Sequence, residues 1–406
     1  MSGSNGSTRS TLVTPAIAGG PASTRGVLAG VLVLLLSVGW VANHFVALMP
    51  VLSVRQQLSP ATLDVIFGVY ALGLLPGLLV GGRASDAFGR RSVALAGSAT
   101  AVAGTIAMLC SQQYDALLIG RLIVGLGVGL AMSSCTAWAS DLNGPAGAAA
   151  AGAALMAGFA IGPFAGAVIA AAGPAGIRLS FGIAAAVGVA AMSVVVVTAR
   201  HSGAAARSTT EVWEPPTPAE QGVAPALSWA MPLAPWVFAS ATLGFIAIPG
   251  RVHTGLAAPL AAGTATLMVN GVSGLIQVLA RARRWGPQAG IAGAALAALG
   301  YAVTALAPPA IPLALGVPLF VMLGCASGLC LREGLIDLEA AAPKRLRGGL
   351  VGAFYVVTYI GFGLPLILAT VGRTVSTAIL AVMAALALLT AVSRAVRLRR
   401  DAHRQG

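Results

Sequence analysis

The ionisable side chains that need explaining inside long apolar runs of this sequence are His44, Arg121, Arg332 and Glu333. An unperturbed histidine titrates near pH 6.5, so His44 could load and release a proton around neutrality. Counting 1.5 Å per residue, His44 lies about 7 Å and Arg121 about 10 Å from the midpoints of their runs. That puts the two at similar depth, with Asn43 beside the histidine. A lone guanidinium at such a depth is costly unless it is paired or wet, so Arg121 is expected to face a water-filled cavity or to snorkel to the headgroups. Beside His44 it would favour release of the proton. The alternative for His44 is a neutral ring bonded to a backbone carbonyl. Arg332 and Glu333 fall near the end of their run and read as interfacial anchors.

Other chemistry finds no support. The chain has no HExxH, no GxxxxGK[ST], no Gly-x-Ser-x-Gly and no paired carboxylates within an apolar run, which argues against an enzyme and against an ATP-driven pump. Cys110, Cys135, Cys325 and Cys330 all fall within apolar runs. The spacing Cys325-x4-Cys330 has no ligand set around it that would complete a zinc shell, so neither disulfide, metal nor cofactor is expected.

The elements that must hold these residues are membrane helices. Of 406 residues 57% are hydrophobic and 9% charged, against about 25% charged in soluble domains. Mean hydropathy is +0.90. The net charge of +13 does not point to nucleic acid: only one of the 24 basic residues is lysine, and they are scattered through short loops, where they meet anionic lipid. Twelve runs are long enough to span a bilayer, near 27–52, 61–81, 92–112, 116–140, 147–172, 177–199, 233–250, 255–280, 287–307, 311–337, 348–371 and 374–394. If the amino terminus is cytoplasmic, inside segments hold 18 Lys and Arg and outside segments four. That bias places both termini in the cytoplasm. The expected organisation is a disordered tail (1–25), a six-helix bundle (26–199), a linker (200–231), a second bundle (232–394) and a basic tail (395–406).

Between the second and third runs lies GGRASDAFGRR, residues 81–91, which reads as a tight loop with Gly82 and Gly89 serving a reversal and Arg83, Arg90 and Arg91 among headgroups. Its spacing, Gly82-x-x-Ser85-Asp86-x-x-Gly89-Arg90-Arg91, resembles the loop between helices 2 and 3 of the major facilitator superfamily of transporters. About 199 residues later comes Arg281-Ala-Arg283-Arg284-Trp285-Gly286, and the same offset carries Gly125 and Gly129 onto Gly324 and Gly328. Two related six-helix bundles rocking about a central site is the expected plan.

The fourth run, Arg121-Leu-Ile-Val-Gly125-Leu-Gly127-Val-Gly129, matches that superfamily's arginine-and-glycine pattern. In the fifth, Gly158, Gly162 and Gly166 form one stripe and Pro163 frees the Phe159 carbonyl. This resembles the drug:proton antiporter branch, with Ala167 in place of the usual final glycine. The stripe is expected to line the seam between the bundles, facing Ala262, Thr266, Asn270 and Gly274 of helix eight. Helices three, six, nine and twelve lack ionisable groups in their middles, and the family resemblance turns them to lipid. Asn43, His44, Tyr70, Arg121, Asn270, Tyr355 and Tyr359 are left to line a central cavity suited to a neutral or weakly cationic, fairly apolar molecule.

The resemblance implies a latch at the inner face: Asp86 near the start of helix eleven around Gly348, Arg90 paired with Asp141, and Arg283 or Arg284 paired with Asp337 or Glu339. It also implies a monomeric secondary transporter of the plasma (inner) membrane that exports a small apolar organic compound or drug against protons. His44 is the expected carrier, with Asp86 or Glu333 as substitutes. A uniporter or importer of a metabolite is the alternative on the same fold.

Overall fold

The computed structural model describes residues 21–173, 175–201, 222–343 and 347–405. Twelve helices long and apolar enough to cross a membrane follow in order: α1 (Thr24–Gln56), α2 (Pro60–Phe88), α3 (Arg90–Cys110), α4 (Tyr114–Gly144), α5 (Ala146–Ala171), α6 (Gly176–Arg200), α7 (Val223–Arg251), α8 (Ala258–Ala282), α9 (Gln288–Leu306), α10 (Leu313–Ala341), α11 (Gly349–Thr370) and α12 (Arg373–Asp401). Among the described residues the only β pairing is an isolated bridge, Val252 to Ile311. An even number of crossings puts both ends of the chain at one face, called here the terminal face.

Spacing decides which helices are central. In α1 the buried residues Val31, Leu34, Leu35, Val38, Val41, Ala42 and Phe45 recur at three and four, a stripe that keeps one face inward along most of the helix. In α12 Val382, Leu386 and Leu389 recur at the same interval but stand exposed, a face left for lipid. Local signals set the ends. Ser59 caps α2 by accepting from the Thr62 amide at 3.1 Å, and Pro60 occupies the first helical position.

The stretch 81–91 departs from the loop expected of it. Residues 82–88 continue α2 as helix, and the chain reverses at Gly89 alone, with φ of +89°. Gly82 has no such role. Ser85 donates to the Gly82 carbonyl at 2.8 Å, and Arg90 bridges back to Asp86, four residues earlier, so the polar side chains stabilise the helix through residue 88. A second left-handed glycine, Gly144 at φ +55°, separates α4 from α5.

The outer boundaries shift as well. Helix begins at Pro21, within the expected tail, and residues 1–20 lie outside the described residues. Residues 202–221 of the expected linker also lie outside them, while Val223–Ala230 forms about the first two turns of α7. The basic carboxyl-terminal stretch continues α12 as helix to Gln405. The sequence repeat is visible in packing: Gly125 and Gly129 sit against the α2 backbone, and Gly324 and Gly328 against the α8 backbone. The bundles α1–α6 and α7–α12 meet where α5 packs on α8 and α2 on α11.

Candidate functional site

A cavity of about 710 Å³ opens between the bundles at the face opposite the termini, a size ordinary for small organic ligands. Its walls come from the ends of α1 (Met49, Ser53), α2 (Leu63, Asp64), α7 (Phe245, Arg251) and the start of α12 (Arg373), among others. Asp64 is its one acid and Arg251 and Arg373 its two cations. Asp64 is 7% exposed and forms no ion pair among the described residues. Sequence reading missed it because it lies one turn into α2, where an end-of-helix acid passes for a surface residue.

Arg121 is 1% exposed and therefore does not snorkel, nor is it part of the cavity wall. Its guanidinium lies in a cage of rings, 4.4 Å from Tyr70, 5.0 Å from Phe45 and 5.6 Å from Phe67. Nη1 donates to the Ala42 carbonyl at 2.7 Å. Nε, Nη2 and the Tyr70 hydroxyl have no hydrogen-bond partner among the described residues. The cage lies one turn beneath the cavity: Leu63 lines the cavity and Phe67 is four residues on, with its ring 6.3 Å from that of Phe245, another wall residue. Phe67 also stacks at 4.9 Å on Phe362 of α11, whose backbone tightens to a 3₁₀ turn at Gly361–Gly363. Tyr359 packs on Phe238 and Phe362, and Tyr355 lies 6.4 Å from Tyr359. Aromatic rings from both bundles thus close over Arg121.

His44 does not share that cage. It is fully buried with Nδ1 3.0 Å from the Val41 carbonyl and 3.2 Å from that of Trp40, so Nδ1 carries the hydrogen. Its ring meets Phe181 of α6 edge-on at 5.3 Å, and Nε2 has no hydrogen-bond partner among the described residues. The backbone-bonded arrangement is the one present.

The glycine stripe of α5 also points elsewhere than expected. A Cβ on Gly158 would lie 2.1 Å from the Leu36 carbonyl, and one on Gly162 2.7 Å from Trp40 Cα, so both fit α5 against α1 of the same bundle. Gly166 faces Ser180 of α6 and His44. The contact with α8 is made one step round the helix, where a Cβ on Gly263 would lie 2.9 Å from the Pro163 carbonyl and 2.5 Å from Ala167 Cβ. Here Pro163 matters. The Phe159 carbonyl that it leaves without a helical partner accepts from Asn43 of α1 at 3.0 Å and from Asn270 of α8 at 3.2 Å.

At the terminal face Arg90 donates from Nε to Asp141 at 2.9 Å and from Nη1 to Ser85 at 2.6 Å, and pairs with Asp86 at 2.5 Å. These bonds tie α2, α3 and α4 together within one bundle. Asp86 is engaged with Arg90, and the contact of α2 with α11 runs through Leu79, two turns earlier, 2.5 Å from where a Gly352 Cβ would stand; residues 344–346, just before α11, lie outside the described residues. Arg91 forms no ion pair among the described residues. In the second bundle Arg283 and Arg284 are exposed, and Asp337 is bound instead by Arg394 of α12, at 2.7 and 3.2 Å. Arg394 is 4% exposed, lies 3.9 Å from Glu333 and donates to the Pro287 carbonyl. Glu333, 2% exposed, also pairs with Arg332, so this is a buried network rather than an interfacial anchor.

Comparison with known proteins places this arrangement. A family model described as Major Facilitator Superfamily matches residues 28–366. The chain belongs to that superfamily. Among solved structures, a peptide transporter POT mutant in complex with alafosfalin superposes with a TM-score of 0.72 at 16% identity, covering 94% of this chain and 95% of that one. At that identity the likeness shows the fold. Curated relatives include the 3-(3-hydroxy-phenyl)propionate transporter of Escherichia coli, 35% identical over 80 residues, which is 20% of each chain. The multidrug resistance protein MdtL of Citrobacter koseri is 35% identical over 83 residues, 20% of this chain and 21% of its own. The facilitated glucose transporter member 10 of solute carrier family 2 from Mus musculus is 35% identical over 99 residues, 24% of this chain and 18% of its own. The matched segment thus spans about a fifth of each of these relatives.

Proposed function

We propose that this major facilitator chain is a secondary active transporter that works by alternating access and exports a small, fairly apolar organic compound in exchange for protons. The observation that supports it is the cavity shared by both bundles, open at one face, while α2 and α11 meet toward the other. That is one half of an alternating cycle. In this reading the protein sits in the plasma membrane with its termini in the cytoplasm, which the arginine bias supports, so the open face is the outer one. Without a nucleotide-binding motif, the driving energy comes from an ion gradient. Asp64 is the carboxylate on the cavity wall and is the proton carrier in this reading, replacing His44, which is held by backbone carbonyls away from the cavity. The protein acts as a monomer, each chain enclosing its own cavity.

Substrate efflux from inverted and right-side-out vesicles under an imposed pH gradient tests this. Transport driven by the gradient in wild type and lost in Asp64→Asn is expected; transport indifferent to the gradient would end the proton-coupled reading. Relatives named for sugars, inositol and polyols favour a second reading, uptake of a metabolite, which the same assay separates by direction.

A further inference from the structure

We propose that Arg121 and Tyr70 form the anchor for the carboxylate of an apolar, aromatic organic acid, and that this acid is the transported solute. The inference rests on the transport reading above and names the substrate class for its central site.

The chemistry of the cage leads there. A buried guanidinium is costly unless its charge and donors are answered. Three ring faces and one carbonyl answer part of it. What they leave is specific: Nη1 is taken by Ala42, and the bare groups are Nε and Nη2, the two donors along one edge of the guanidinium. That edge is the fork that meets a carboxylate through two parallel hydrogen bonds. The Tyr70 hydroxyl, bare as well, belongs to the ring 4.4 Å from the same guanidinium and supplies a third donor. Two unsatisfied guanidinium donors on one edge, with the bare Tyr70 hydroxyl on a neighbouring ring and no acid paired to them among the described residues, suit an anion with two acceptor oxygens.

The rest of the solute is suggested by what surrounds the fork. Phe45 and Phe67 face the guanidinium and Phe362 stacks on Phe67, an aromatic surrounding that matches a solute carrying a ring or a planar unsaturated group. The approach agrees in sign. Two arginines and a single acid line the cavity above, so the mouth draws anions inward. This replaces the neutral or weakly cationic solute suggested by the scarcity of charge in the sequence, because the buried Arg121 has no acid partner among the described residues and cations outnumber acids on the cavity wall.

The test is binding to the purified full-length chain in detergent, read as the thermal unfolding midpoint over a concentration series of benzoate or 3-phenylpropionate, each against its primary amide and against sodium chloride. The carboxylates should raise the midpoint and the amides should not. Tyr70→Phe should weaken the carboxylate affinity about tenfold, the scale of one hydrogen bond to a charged group. Arg121→Lys should weaken it by at least as much, since a point charge cannot offer the fork, and Arg121→Gln should abolish it. Equal shifts by acid and amide, an equal shift by chloride alone, no shift by either acid in wild type, or undiminished shifts in both Tyr70→Phe and Arg121→Lys would each overturn the proposal. Because the readout is binding, a failed vesicle experiment leaves the anion site standing and retires the transport reading, and with it the acid as the solute carried.

Discussion

Pro163 acts through an atom it lacks. By having no N–H it releases the Phe159 carbonyl, and that oxygen then accepts from Asn43 and Asn270, on α1 and α8. Two lone pairs serve two donors, so either asparagine alone still satisfies the oxygen. Asn43→Ala and Asn270→Ala are each expected to cost about 1 kcal/mol, and the double variant more than their sum, because only then is a buried carbonyl left bare. Thermal unfolding of the four proteins measures this; strict additivity would contradict it. Asp64 and His44 make a second contrast. His44→Ala should keep gradient-driven efflux, whereas Asp64→Asn should retain solute binding and lose the response to the gradient, as vesicle flux would record. The asparagines, the proline and Arg121 were all legible in the sequence as polar or breaking residues in apolar runs. Their partners were not, since Ala42 and Phe159 take part through backbone oxygens that side-chain identity does not reveal.

Between elements, small residues decide how closely helices approach, and which neighbour they approach depends on rotation about the axis. The sequence shows a stripe on α5; it cannot show that α1 rather than α8 covers it, because both offer small residues. The consequence for mutation follows from which helix covers the stripe. Gly158→Leu would drive a side chain into the α1 backbone, so a loss of folded protein is expected, seen as low yield and aggregation in detergent. Gly263→Leu, by contrast, sits in the seam against Pro163 and Phe164. It should leave each bundle intact and wedge them apart, giving normal yield and lost transport; normal transport by this variant would show that the seam is looser than its geometry. Among the described residues a single hydrogen bond, Asn270 to Phe159, crosses from one bundle to the other. A seam so free of polar ties can slide without leaving buried groups unpaired.

For the molecule as a whole, the twelve crossings followed from apolar run length, a signal that depends on bilayer thickness rather than on tertiary detail, and the two-bundle plan from the repeat at an offset of about 199 residues and the family resemblance. The terminal-face contacts were partly hidden. Arg394 lies far along the chain from Asp337, in a helix whose basic end reads as a tail, and only packing brings them together. Arg394→Ala leaves the half-buried Asp337 without its cation and the buried Glu333 with Arg332 alone, and should cost about 3 kcal/mol; a thermal midpoint within a degree of wild type would remove the network from the stability account. Closure at that face rests on α2 against α11. With the native cysteines replaced, Leu79→Cys combined with Gly352→Cys should crosslink under mild oxidation and stop transport until a reductant is added.

The unpaired charge of Arg121 has an electrical corollary. A carrier that ejects an organic monoanion for each proton admitted moves the equivalent of two positive charges inward per turnover. Each is worth about 2.3 kcal/mol per 100 mV of membrane potential, so voltage alone, with no difference in pH, should drive accumulation outside. Collapsing the potential with a potassium ionophore at symmetric pH would then halt net export, and the current measured on a supported membrane would carry the sign of cations entering the cell.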